Sequence, residues 1–229
     1  MKLEKMTKGD KSAAKRRYDD ACAATHAMDI FGERWALPVM RELMLGPRRF
    51  GELKASISGI SANVLTQRLE SLEEAGVVLR RKLPPPASVQ VYELTEWGYQ
   101  AGPIFQVMGR WGVKSPHHDP ARPFSAVSLM LSFRTMMDPA LAADVTLSIG
   151  FRLSDQQFLF AIDRGQVTIG RDLAGADVVL TGDTATLASA AYMNVPLADL
   201  EAEGRIRIEG NRAAAERFVT LFALPDKAA

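Results

Sequence analysis

The chain has 229 residues, 47% hydrophobic and 24% charged, the balance of an ordinary globular protein rather than a disordered or collagenous one. Its 28 Lys+Arg and 27 Asp+Glu give a formal net charge of +1, which excludes a polybasic, histone-like chain. That near-neutral total hides a division, because residues 1–118 hold 18 basic and 13 acidic side chains while residues 119–229 hold 10 and 14. A basic half joined to an acidic half implies two modules with different partners, each long enough to close its own core.

Targeting and redox signals are sparse. No apolar run approaches the ~20 residues of a membrane span, and the first twenty residues, MKLEKMTKGDKSAAKRRYDD, lack the apolar stretch of a secretory signal. The single cysteine, Cys22, leaves no intramolecular disulfide and no cysteine-based zinc site within one chain. A cytoplasmic protein with no membrane partner is expected.

In chain order, residues 1–18 read as a mobile polar tail. A helix is expected from Asp19 to Phe31, interrupted by Gly32, and a second from Trp35 to Leu45 that is apolar almost all round and stops at Gly46-Pro47. A short third helix spans Arg49 to Ile57. The fourth is best defined: Ser61 is an N-cap, Gly76 a stop, and Leu65, Leu69 and Leu72 form an i, i+4, i+7 stripe that must face a core. At about 100° per residue, Asn63, Thr66, Gln67 and Glu70 then fall on the opposite, polar face. A strand from Val77 to Leu83, a stiff Pro84–Ser88 loop and a returning strand from Val89 to Leu94 make a hairpin carrying Arg80, Arg81 and Lys82. A longer helix runs from Thr95 towards Trp111, bent or broken at Gly102-Pro103. This order is that of a mostly α winged helix-turn-helix over residues 19–113.

Lys114 to Pro123, with three prolines, reads as a linker. An α+β module follows over residues 124–225. It opens with an apolar helix from 124 to 137. Strands at Asp144–Leu153, Gln157–Asp163, Val167–Arg171 and Ala176–Thr181 read as an antiparallel meander. Helices near Asp183–Met193 and Pro196–Glu203, a strand Arg205–Glu209 and a last helix from Asn211 to about Leu224 complete it.

A helix seated in the major groove needs hydrogen-bonding side chains at its N-terminal end, while flanking basic residues grip phosphate. Ser61, Ala62, Asn63, Thr66 and Gln67 are the candidates for the first role, since Asn and Gln can read adenine bidentately. Arg48, Arg49, Arg80, Arg81 and Lys82, with Ser88 and Gln90 on the hairpin, are the candidates for the second. The plainer alternative is an amphipathic helix beside a solvated basic face. His117-His118-Asp119 in the Pro-rich segment holds no fixed ligand geometry, so no metal is expected. There is no Gly-rich phosphate loop, no Gly-x-Ser-x-Gly and no His-Glu-x-x-His, hence neither enzymatic chemistry nor a cofactor is expected.

Asp29-Ile30-Phe31-Gly32-Glu33-Arg34-Trp35, Arg41-Glu42-Leu43, Gly46 through Leu53, Gly59-Ile60-Ser61, Leu65 through Leu69 and Tyr92 through Gly98 together resemble the HxlR-type winged-helix transcription regulators. The resemblance covers about residues 20–112. It implies homodimers, joined mainly through the terminal helices of the domain, that bind double-stranded operator DNA. The helix from Ser61 becomes the recognition helix and Arg80–Gln90 the wing. It also marks Cys22 as a candidate redox sensor, although the usual Cys-Pro start is here Cys22-Ala23; sensing needs an accessible thiolate, and the alternative is a small buried apolar residue.

The second half is similar to the sterol-carrier-protein-type lipid-binding domains, through Asp177-Val178-Val179-Leu180-Thr181-Gly182 and Gly204 through Asn211. That implies helices packed on a five-stranded, mostly antiparallel sheet around an apolar tunnel. Phe133, Phe151, Phe158, Phe160, Met193, Phe218, Leu221 and Phe222 are its candidate lining, and an apolar small molecule or lipid its ligand. The function expected is a dimeric DNA-binding regulator modulated by that ligand. The alternative is a lipid or small-molecule carrier whose first domain serves mainly for dimerisation.

Overall fold

A computed structural model of the chain describes residues 18–228; the expected polar tail, apart from Tyr18, lies outside the described residues. The first half is mostly helical: α1 (Ala23–Phe31), α2 (Ala36–Leu43), α3 (Phe50–Ser56) and α4 (Ala62–Glu74), then a hairpin of β1 (Val78–Lys82) and β2 (Gln90–Leu94), then α5 (Glu96–Tyr99) and α6 (Gly102–Gly112). Its core is one cluster in which Val39, Met40 and Leu43 of α2 meet Leu53 of α3, Leu65, Leu69 and Leu72 of α4, and Val78 and Leu94 of the hairpin. The Ser61 hydroxyl accepts the Val64 amide and starts α4. Gly76, at φ +74°, ends it in a conformation that L side chains avoid.

The helix expected from Thr95 to Trp111 is two helices. Thr95 caps α5, and Pro103 stands in the first turn of α6, where its missing N–H costs nothing but where it could not have continued a preceding helix.

The second half places α7 (Ala126–Met136), a short α8 (Pro139–Ala142) that sequence reasoning did not anticipate, α9 (Thr184–Tyr192), α10 (Leu197–Ala202) and α11 (Arg212–Val219) around a sheet of β3 (Thr146–Leu153), β4 (Gln156–Asp163), β5 (Gln166–Gly170), β6 (Val178–Gly182) and β7 (Ile206–Gly210). The strand order is β5-β4-β3-β6-β7. The sheet is mixed rather than mostly antiparallel, and the expectation that β6 continues the meander is corrected. β6 lies on the far side of β3 and runs parallel to it, with Ile149 beside Val178 and Arg152 beside Thr181.

To get there the chain leaves edge strand β5 at Gly170 and crosses the sheet between residues 171 and 177. Gly150 of β3 makes room for the crossing: a Cβ there would stand 3.2 Å from Leu173 Cδ2, 3.3 Å from Ala176 Cβ and 3.0 Å from Val179 Cγ2. Asp177 pins the end of the crossing. Its carboxylate accepts the Ser148 amide at 2.7 Å, and its own amide donates to the Ser148 carbonyl at 2.8 Å. The opposite face of the sheet carries the core, where Phe133 of α7 and Phe218 of α11 pack on Phe151 and Phe160.

The two halves meet along α2, α6 and α7. Arg110 Nε of α6 donates to the Thr135 carbonyl of α7 at 2.7 Å, and Met44 and Leu45 pack against the second core. The segment from Lys114 to Pro123 is not a free tether at its start. Lys227 Nζ donates to the carbonyls of Val113 and Ser115, and the Ala228 amide donates to that of Lys114.

Candidate nucleic-acid interface

The leucine stripe of α4 faces inward, and that turns the rest of the helix outward. Leu65, Leu69 and Leu72 are buried, whereas Ser61, Ala62, Asn63, Thr66, Gln67 and Glu70 are exposed. On the inner edge Arg68 is held by Glu33, Nη2 to Oε2 at 2.8 Å, which fixes the helix against the loop before α2 without using the outer face. The outcome is a polar ridge of short hydrogen-bonding side chains on a helix whose orientation is set by its core.

The hairpin brings together the basic residues that follow. Arg80, Arg81, Lys82, Ser88 and Gln90 surround one shallow hollow, and all five are exposed. Arg81 is ion-paired to Glu93 across the hairpin, which raises its guanidinium pKa above the ordinary value. Arg80 Nε stands 3.7 Å from Glu73 near the end of α4. These contacts leave the guanidinium groups at the surface while limiting their rotation.

Arg49 is exposed and its amide donates to Glu52 Oε2 at 2.9 Å, closing the first turn of α3. Arg48, expected beside it as a phosphate contact, is not there. It is 4% exposed. Its Nη1 donates to Gln156 Oε1 at 2.9 Å and its Nη2 to Ser56 Oγ at 3.0 Å. Its backbone forms both hydrogen bonds of a bridge to Tyr92 in β2. The residue faces the interior because the extended bridge to β2 alternates side chains, sending Arg49 out and Arg48 in.

Sequence reasoning missed the polar seam that Arg48 belongs to. Glu42, fully buried on α2, accepts from Arg41 Nε and Nη2 at 3.1 and 2.9 Å and from Ser125 Oγ at 2.6 Å. Glu42 Oε2 stands 3.8 Å from Arg48 Nη1. From the second half, Arg171 Nε reaches the Leu45 carbonyl at 3.2 Å, and its guanidinium lies over the Phe158 ring. The one available signal was a charged pair, Arg41-Glu42, inside a helix otherwise apolar.

Cys22 is the N-cap of α1 and is exposed. Its side chain makes no cap hydrogen bond, and the nearby Thr25 amide, then the Ala24 amide and the Thr25 hydroxyl, at the start of the helix lower its pKa from the ordinary thiol value. Of the eight candidate tunnel residues, Phe133, Phe151, Phe158, Phe160, Phe218 and Leu221 are fully buried, and the Phe133, Phe160 and Phe218 rings pack at centroid distances of 5.3 to 6.3 Å. Phe222 is half-buried at the edge of the cluster, 5.0 Å from Phe133 and from Phe218. Met193 does not line it: the residue is the C-cap of α9 and 73% exposed.

Residues 30–119 match the family model of the HxlR-like helix-turn-helix. Residues 122–228 match that of the alkyl sulfatase C-terminal family, where the sequence suggested a sterol-carrier type. The two matches meet inside the 114–123 segment. Among curated proteins, an uncharacterized HTH-type transcriptional regulator YvaP of Bacillus subtilis is 34% identical over 88 residues, 38% of this chain and 82% of its own length. The HTH-type transcriptional regulator YodB of the same organism is 38% identical over 85 residues, 37% of this chain and 76% of its own. The solved structure of the reduced form of YodB is 34% identical, with a TM-score of 0.39, over 43% of this chain and 98% of that one.

Proposed function

The chain belongs to the HxlR-like helix-turn-helix family, and we propose that it is a homodimeric, non-enzymatic regulator that reads operator DNA with α4 and grips its backbone with the β1–β2 wing. The observation that carries the proposal is the exposed polar ridge of α4 set beside the five converging side chains of the wing. Asn63, Thr66 and Gln67 supply donors and acceptors for base edges; Arg49, Arg80, Arg81 and Lys82 supply charge for phosphates. Such a protein works where DNA is, in the cytoplasm, and no helix among the described residues is long and apolar enough to cross a membrane.

The partner for dimerisation is a second copy of α6. Val107 and Trp111 are 69% and 79% exposed there, and Met28 of α1 is also exposed. Apolar side chains this bare on one helix call for a covering surface. A symmetric pair of domains sets the two recognition helices about one groove repeat, roughly 34 Å, apart. Exposed Cys22, at the N-terminus of α1 with its pKa lowered by the amides there, would change that spacing when oxidised or alkylated. For the second half, an apolar small molecule or lipid enters beside Phe222, the part of the aromatic cluster that is not sealed; native mass spectrometry of gently purified protein tests for it.

Gel shifts on the upstream region of its own gene, with salt varied, test DNA binding. The Arg80→Ala/Arg81→Ala pair is expected to flatten the salt dependence by about two units of slope, close to one per phosphate contact. Unchanged affinity in that variant, or no binding at low salt, defeats the proposal.

A further inference from the structure

The five-stranded sheet has two edges, and they are built differently. At one, β7 sets charges along the strand: Arg207 is exposed and ion-paired to Glu209, which also holds Arg152 of β3. Charges along an edge are a common defence against pairing with another chain. At the other, β5 reads Gln166-Val167-Thr168-Ile169-Gly170, with no charge, no proline and no bulge in its pairing to β4. We infer that this edge pairs with the same edge of a second copy of the chain, antiparallel and about a two-fold axis at Thr168, and joins the two sheets into one.

Backbone direction sets the first condition. Arg164 and Gly165, at φ +47° and +78°, form the two-residue turn between β4 and β5, the type I′ geometry. The Arg164 amide donates to the carbonyl of Val145, just before β3, at 2.8 Å, so Asp163 turns its backbone groups the other way, to β5. Alternation along the ladder makes Asp163–Gln166 and Ala161–Thr168 hydrogen-bonded pairs. The N–H and C=O groups of Val167 and Ile169 therefore point out of the sheet edge. Among the described residues, no backbone hydrogen bond from another element reaches them.

Length sets the register. All 5 residues of β5 find a partner only when Thr168 faces itself. Val167 then stands opposite the second copy's Ile169, and each outward N–H meets an outward C=O. On the core face this brings together two β-branched side chains that the single chain leaves half-buried. On the outer face exposed Thr168 meets its own copy, a pairing that hydrogen bonding favours. The ends match in charge, since the register carries exposed Arg164 to the exposed Asp172 of the second copy. Asp163, at the same turn, is held by Arg164 at 3.5 Å and by Thr146 at 3.3 Å. Arg171, the like charge beside Asp172, turns into the seam and donates to the Leu45 carbonyl.

What the pairing controls rests on the DNA-binding function and the α6 contact proposed above. A chain with two separate two-fold contacts joins two DNA-binding pairs into one assembly, which occupies two operator sites together.

Disulfide trapping on the full chain, in a Cys22→Ser background, tests the register. Opposed residues outside the hydrogen-bonded rungs have Cα atoms about 4.5 Å apart, within disulfide reach. Thr168→Cys is therefore expected to give a covalent dimer on mild oxidation with diamide. Gln166→Cys, also exposed and on the same strand, is expected to give at least about tenfold less, because its counterpart lies roughly 13 Å away along the edge. Sedimentation velocity without DNA tests the association. Thr168→Lys and Thr168→Glu each set like charges face to face; each is expected to halve the mass of the assembly, and an equal mixture of the two to restore it. The halving runs from tetramer to dimer where α6 pairs and from dimer to monomer where it does not, so a failure of that contact reads separately. No excess of trapped dimer at position 168 over 166, a mass unchanged in both charged variants, or no recovery on mixing overturns the inference.

Discussion

The wing and the domain seam use the same residue type for opposite purposes. On the wing, Arg80, Arg81 and Lys82 are exposed, and their ion pairs with Glu73 and Glu93 stay in solvent. In the seam, Arg48 is nine-tenths buried and each of its terminal nitrogens is committed to a side chain from a different part of the fold. Exposed pairs contribute little to stability, typically about 0–1 kcal/mol, and leave charge available to a partner. Buried ones tie structure together, and breaking one strands its opposite charge. Charge alone therefore says nothing about a DNA-contacting role; burial decides.

That contrast is most sharply broken by Arg48→Ala. It leaves the half-buried Gln156 and Ser56 oxygens without their donor and takes one of two cations from Glu42, which keeps Arg41, and is expected to cost about 2–3 kcal/mol of unfolding free energy by urea titration. A loss below about 1 kcal/mol would make the seam no different from the wing. Next in size, Asn63→Ala or Gln67→Ala should each weaken operator binding by about 1–3 kcal/mol while leaving nonspecific binding intact, as read by competition with mixed-sequence DNA. Ser61→Ala should remove the α4 cap and lower stability by about 1 kcal/mol in the same urea titration. The smallest effect belongs to Arg49→Ala, expected within about 0.5 kcal/mol of the unaltered stability despite its neighbour's large one; an Arg49 loss matching that of Arg48 would erase the distinction.

What the sequence displayed and what it hid divide along the same line. Helix α4 was legible because its signals are local: a serine cap, a leucine stripe and a glycine stop all lie within sixteen residues. The hairpin was legible from alternation and a proline turn. The seam was not, since Arg48 meets Gln156 across 108 positions and Glu42 meets Ser125 across 83. Nothing in an Arg-Arg dipeptide tells which side chain turns inward; that follows from the bridge to Tyr92, a tertiary contact. Strand β6 was located correctly but given the wrong neighbour, because alternation identifies a strand and leaves its pairing partner open. The aromatic tunnel candidates show the same limit: Phe133 and Met193 look alike as apolar residues near helix ends, yet one is the centre of a core and the other faces solvent.

The crossing over Gly150 bears on how quickly the molecule can form. Strands β3, β4 and β5 join through tight turns and can zip up early. The parallel pairing of β6 must wait until the intervening loop has closed over a surface that already exists. A methyl group at Gly150 would obstruct that last closure and leave the meander before it untouched. One missing side chain in the middle of a strand thus leaves room for a closure made by residues more than twenty positions further along the chain.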